Sequence, residues 1–115
     1  MQPRVTDVEE LKKRVRKMAA GRVLAGDSAQ VCLDLARLPH CRACVAAGFG
    51  ASGEQPEPAP RDRMIWILDG YVEVHTADGI AIDVSQGESA VLAGGVPYRL
   101  VFPQLTLYLL VEPVE

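Results

Sequence analysis

The chain is expected to be all-β, a sandwich or barrel preceded by one N-terminal α-helix. Three observations lead there. Between Arg63 and Pro103, short apolar segments alternate with glycine turns at the spacing of strands in a sandwich or barrel. Asp-Gly, the strongest short-range hairpin signal because its central positions need positive φ, occurs twice, at Asp69-Gly70 and Asp78-Gly79. Sustained helical periodicity is confined to residues 7–20. At 115 residues the chain can bury one core but not two. We divide it into an N-terminal helical segment, residues 1–22, and a β domain, residues 23–115.

Taken in order, Thr6 is positioned to cap the helix, with Glu9 three residues on completing a capping box. Val8, Leu11, Val15 and Met18 give it a narrow apolar stripe, and Gly21 stands where a left-handed C-cap falls. Arg22 to Leu24 read as a short edge strand, and Gly26-Asp27-Ser28 as a turn. Val31 to Ala36 alternate as a half-buried strand; Pro39-His40 break it, and Arg42 to Phe49 form the next. Gly50 to Pro60, with Pro56, Pro58 and Pro60, is a loop inside the domain. In the following strand Arg63, Ile65 and Ile67 share one face and Met64, Trp66 and Leu68 the other. Both faces are apolar, which predicts cover on both sides. Val72 and Val74, then Ile80, Ile82 and Val84, then Tyr98, Leu100 and Phe102 continue the pattern. A last, nearly continuous apolar strand from Leu105 to Val111 suits a covered position or a dimer interface.

Composition is that of an ordinary globule, 49% apolar and 23% charged. The net charge of −3 is unevenly spread: residues 1–22 carry +4 and residues 23–115 carry −7. The basic run Lys12-Lys13-Arg14, with Arg16 and Lys17, reads as a solvated helix face and not as a nucleic-acid surface, because the rest of the chain is acidic and no nucleic-acid motif accompanies it. No apolar run reaches membrane-spanning length, and no signal-peptide pattern is present. Three cysteines, an odd number, fit free thiols in a reducing cytoplasm.

Asp62-Arg63-Met64-Ile65-Trp66-Ile67-Leu68-Asp69-Gly70 resembles the second half of the first cupin motif. Gln86-Gly87-Glu88 followed by Gly94-Gly95-Val96-Pro97-Tyr98 resembles the second, with Gly87 and Gly95 at the family spacing. The resemblance covers roughly residues 30–112 and implies a cupin jelly-roll barrel, a double-stranded β-helix. Cupins usually hold a divalent metal with three histidines and a glutamate. Aligned on these glycines, the glutamate position is Arg63 and the third histidine position is Tyr98. The first two histidine positions fall near Pro56 and Pro58. The resemblance therefore implies a barrel without the family's metal, and we expect no cofactor.

Arg63 and Tyr98 are expected to project into the barrel, with Ile65 and Phe102 beside them, as a binding site for a small, anionic ligand. An arginine in such a place must be paired; the internal alternative is Glu54 or Glu57 of the loop. Two further readings stay open. Tyr98 can serve as acid/base, with Arg63 as anion clamp, in a metal-independent isomerase or lyase acting on a sugar or keto acid. His40, Cys41 and Cys44 carry the Cys-x-x-Cys spacing of metal and redox sites, although on an extended strand the two thiols point to opposite faces. His75 reads as a surface residue beside Glu73. The expected partners are a small molecule and a second copy of the chain, with neither nucleic acid nor membrane.

Overall fold

The computed structural model describes residues 5–26 and 28–114, so the expected turn at Gly26-Asp27-Ser28 and the chain end at Glu115 lie partly outside the described residues. The helix, α1, spans Val8–Leu24 and is longer than its periodicity predicts. Asp7, not Thr6, caps it, its carboxylate accepting the Glu10 N–H at 3.3 Å. The buried stripe is Leu11, Val15 and Ala19, one residue every fourth position, which leaves Val8 and Met18 exposed. Gly21 lies inside the helix in open space, so Arg22 to Leu24 are its last turn and not an edge strand. The positive-φ glycine that ends the helix is Gly26 (φ 85°), whose N–H bonds the Val23 carbonyl.

Among the described residues seven strands follow: β1 (Ala29–Arg37), β2 (Cys41–Ala51), β3 (Arg63–Asp69), β4 (Tyr71–Thr76), β5 (Ala81–Ser85), β6 (Ser89–Leu92) and β7 (Tyr98–Pro113). Their pairings are antiparallel, in the order β1-β2-β7-β3-β6, with β4 bridging β5 and β7. β7 is one 16-residue strand where the sequence suggested two. Tyr98–Val101 pair with β4, and Leu107–Val111 pair with β3. β2 follows β7 along its other edge, across a register shift between Gly48 and Gly50. The long strand thus belongs to both layers and closes the barrel between them.

Only one Asp-Gly closes a hairpin. At Asp78-Gly79, β4 turns into β5, with the Thr76 N–H on the Ile80 carbonyl at 2.9 Å. At Asp69-Gly70 the chain changes layer: β3 and β4 both pair with β7 and, among the described residues, not with each other. Gly70 makes this corner at φ 103°. The dipeptide requires positive φ, and a corner between layers uses that as well as a hairpin does.

Two clusters of buried side chains lie on the two faces of the larger layer. Inside the barrel are Ile65, Ile67, Val72, Val74, Phe102, Tyr108 and their neighbours. On the outer face α1 covers Val45, Ala47 and Leu107 with Leu11, Val15 and Ala19. The helix meets β3 at its far end, where Arg16 pairs with Asp69 at 2.8 Å and Leu68 packs on the helix cluster, and leaves the first part of β3 and its neighbour β6 bare. Trp66, expected to be covered, is consequently 46% exposed and Val91 73% exposed.

Candidate functional site

Strand register brings three charged residues to one end of the barrel. Arg42 opens β2 and faces Glu112 near the end of β7. Arg63 opens β3, and Met64 faces Val111, so Arg63 flanks Glu112 from the other side. Glu112 Oε1 accepts from Arg42 Nε at 2.7 Å, and the Arg42 Nη2 completes the ion pair. Glu112 Oε2 lies 3.3 Å from Arg63 Nε. That contact is within ion-pair range but lacks hydrogen-bond geometry, and the Arg63 Nε–H is buried with no acceptor among the described residues. Asp34 stands 3.9 Å from Arg42 on its far side. The Glu112 carboxylate beside it holds the Arg42 guanidinium even more firmly in its charged form.

Arg63 and Tyr98, expected together from the sequence, do meet: Arg63 Nη1 donates to the Tyr98 hydroxyl at 3.3 Å. Tyr98 is held from behind by the proline-rich loop, where Glu57 exchanges two backbone hydrogen bonds with it, at 3.0 and 3.2 Å. Asp62 points away, accepting the Gly94 N–H at 2.7 Å and fixing the second glycine turn to the start of β3. The internal partner of Arg63 is Glu112, not Glu54 or Glu57.

Three cavities converge on this ion cluster, and Arg63 and Glu112 line all three. One of about 180 Å³ lies under Ala59, Pro60 and Arg61. One of about 290 Å³ opens on the outer face past Met64, Val91 and Val111. The third, about 270 Å³, enters the barrel side over Ala46, Tyr108 and Leu110 with Arg42 at its rim. Ile65 and Phe102, expected beside Arg63 as ligand contacts, line none of these cavities. Both are 1% exposed in the barrel core. Phe102 stacks on Tyr108 with centroids 5.3 Å apart, and its ring lies against Gly48, where a Cβ would sit 2.6 Å from it. The two rings pack together inside the barrel, and the three cavities lie toward the end that holds Arg63 and Glu112. Burial pushes the Tyr108 phenol up to about 12 against the pull of nearby Arg63, so it stays neutral.

The cysteine motif separates as strand geometry requires. Cys41 lines the outer cavity; Cys44 is fully buried inside, donating to Asp34 at 3.5 Å. Burial first, then Cys32 and Asp34, pushes its thiol up to about 12. His40 is exposed, and no three His, Cys, Asp or Glu side chains among the described residues gather as a metal would need. The donor set at the cupin ligand positions does not fit a cation either. Arg63 brings a fixed positive charge, and its partner is the phenol of Tyr98. His75 bonds Glu73 at 2.9 Å on the outer face of β4, as its neighbours suggested.

Sequence reading did not single out Glu112, Arg42 or Tyr108. Parity could have found them. Glu112 is two and four residues from Leu110 and Tyr108, and Arg42 two and four from Cys44 and Ala46, so both charges had to face inward with those core positions.

No protein-family model and no curated protein matches the chain. Solved structures do. A cupin-2 domain protein from Shewanella frigidimarina superposes with a TM-score of 0.65 at 18% identity, over 73% of this chain and 80% of that one. The EutQ protein of Clostridium difficile superposes at 0.64 and 17% identity, over 74% and 68%. A cupin superfamily protein from Desulfitobacterium hafniense gives 0.62 and 13%, over 76% and 79%. At such identities the likeness speaks for architecture alone. With the two-layer barrel closed by β7, it identifies the chain as a cupin-fold protein.

Proposed function

We propose that the protein binds a small anionic ligand at the Arg63 end of its barrel, without the metal typical of cupins. One observation carries this reading: a guanidinium at the junction of three cavities, with a buried Nε–H that no described group accepts. The Nε itself is shut off from solvent, so an anion would meet the Nη groups of the same guanidinium, which carry further donors besides the one on Tyr98. The test is thermal stability across a panel of small carboxylates and inorganic phosphate, in the native protein and in Arg63→Gln. A ligand at a hundred times its Kd stabilises by about 2.7 kcal/mol, and that shift should vanish in the variant. No shift with any anion would refute the reading.

The Arg63–Tyr98 hydrogen bond supports a second reading, a metal-independent isomerase or lyase with Tyr98 as acid/base and Arg63 as clamp for a sugar or keto acid. Turnover that survives Tyr98→Phe would rule it out. We also infer a homodimer, formed through the apolar outer face that α1 leaves bare at Met64, Trp66 and Val91. Cytoplasmic residence is our reading of the free thiols of Cys32, Cys41 and Cys44.

A further inference from the structure

We propose that the ligand of this site is a 2-hydroxy acid with a short apolar side chain, an inference that rests on the anion-binding reading above. The argument starts from which polar atoms are already used. Glu112 Oε1 is taken by Arg42. Glu112 Oε2 accepts no hydrogen bond from a described residue, and it lies 3.3 Å from Arg63 Nε. Among the described residues Arg63 makes one hydrogen bond, to Tyr98, which leaves further donors on the guanidinium. An unused acceptor and a set of unused cationic donors therefore stand side by side, facing the same cavity.

A simple carboxylate answers only the donors. A carboxylate with a hydroxyl on the adjacent carbon answers both: its oxygens accept from Arg63 while the hydroxyl donates to Glu112 Oε2. A 2-oxo acid has no such donor. A 2-amino acid has one, but its ammonium would enter between two guanidiniums, Arg42 and Arg63, and would have to shed far more hydration than a hydroxyl to do so. The neutral hydroxyl meets no such penalty.

The cavity limits the rest of the molecule. Its wall is mixed: Arg42, Arg63, Glu112 and Gln30 are polar, while Val31, Ala46 and Leu110 with the ring of Tyr108 offer a small apolar patch for a short hydrocarbon side chain. Its volume of about 270 Å³ is below the range of roughly 300–1,000 Å³ for drug-sized sites. The stacked pair Phe102 and Tyr108 blocks deeper entry. A short branched body fits this space; a long chain or a second ring system does not.

The experiment is titration calorimetry of the full chain with 2-hydroxy-4-methylpentanoate, 4-methylpentanoate, 2-oxo-4-methylpentanoate, leucine and inorganic phosphate. The hydroxy acid should bind about tenfold to a hundredfold more tightly than 4-methylpentanoate, the range for one hydrogen bond to a charged acceptor. In Glu112→Gln the amide oxygen turns to Arg42 and its NH2 takes the place of Oε2, so that preference should collapse. Glu112→Asp, which withdraws the carboxylate, gives the same readout if the glutamine variant does not fold. Equal binding of the two carboxylates, with Arg63→Gln abolishing both, overturns the hydroxy-acid inference and leaves the anion site standing. So does phosphate, leucine or the oxo acid binding most tightly. No binding of any of the five overturns both.

Discussion

Gly70→Ala is the sharpest test of how the two layers are joined. At this corner φ is 103°, and a Cβ would stand 2.5 Å from Thr106 Oγ1, 3.1 Å from its Cβ and 3.2 Å from its Cα. The last of these is backbone of the central strand and cannot swing aside. Thr106 is fully buried; its hydroxyl donates to the Tyr71 carbonyl at 2.9 Å and accepts the Tyr71 N–H at 3.2 Å. An alanine would displace it. Holding an L-residue at this φ costs about 1–2 kcal/mol, and the two hydrogen bonds contribute about 1 kcal/mol each. The expected loss is thus roughly 3–4 kcal/mol, or about 10–15 °C in Tm for a domain of this size. Urea unfolding of Gly70→Ala, Thr106→Ala and the double variant measures it. Because both single changes remove the same hydrogen bonds, their costs should fall short of adding, by about 1–2 kcal/mol. Gly79→Ala is the control: it shares positive φ, at 87°, but nothing lies within 4 Å of its Cβ, so only the backbone cost of about 1–2 kcal/mol should appear. If Gly70→Ala costs no more than Gly79→Ala, the claim that Thr106 locks the corner is wrong.

Three further outcomes are expected. Gly48→Ala should cost about 1–3 kcal/mol by overpacking, since three Phe102 ring atoms lie within 2.7 Å of the new Cβ; near-ultraviolet circular dichroism should report the displaced ring, and an unchanged spectrum and Tm would count against a filled barrel centre. Stability should fall at alkaline pH: unfolded, Cys44 releases its proton near 9, whereas the native thiol holds it to about 12, so between those values stability declines steadily as pH rises. The contribution is complete below pH 9 and lost as pH rises, and Cys44→Ala should flatten the decline; an unaltered slope would mean that the thiol is not buried as described. Val91→Glu, at a position 73% exposed, should leave Tm nearly unchanged while shifting the protein to a monomer in sedimentation; a monomeric native protein would remove the dimer reading.

Glycine spacing and strand parity carried most of the fold. Gly70, Gly79, Gly87 and Gly95 all have positive φ, so residues read as turns are turns. Parity placed Ile65, Ile67, Val72, Val74, Leu100 and Phe102 inside correctly. What it could not show is which outer surface has a cover. Trp66 and Leu68 alternate identically in sequence, but only Leu68 lies near α1. Pairing partners were equally invisible at Asp69-Gly70, because the same backbone demand serves a hairpin and a change of layer. At the site, the alignment of motifs brought Arg63 to Tyr98 across 35 residues of chain. It offered no hint of Glu112, which follows Arg63 by 49 positions and meets it only because β7 is long enough to pass both layers.

The filled centre explains why the charged residues sit where they do. An arginine fully enclosed among aliphatic side chains would face a desolvation cost of several kcal/mol, which a single carboxylate offsets only with excellent geometry. Arg63 does not have that geometry: its Nε contact with Glu112 fails as a hydrogen bond. The Phe102–Tyr108 stack occupies the interior and holds the cluster at the rim, where the Arg63 side chain keeps 32% of its exposure and water screens the ions. The same stack therefore sets two properties together. It stabilises the barrel through packing of two large rings, and it directs a ligand to the end where Arg63, Tyr98 and Glu112 meet. Shrinking Phe102 should accordingly do more than destabilise: by opening the centre it would draw the Arg63 guanidinium toward an apolar cavity, and anion affinity at the rim should fall even in the fraction that stays folded.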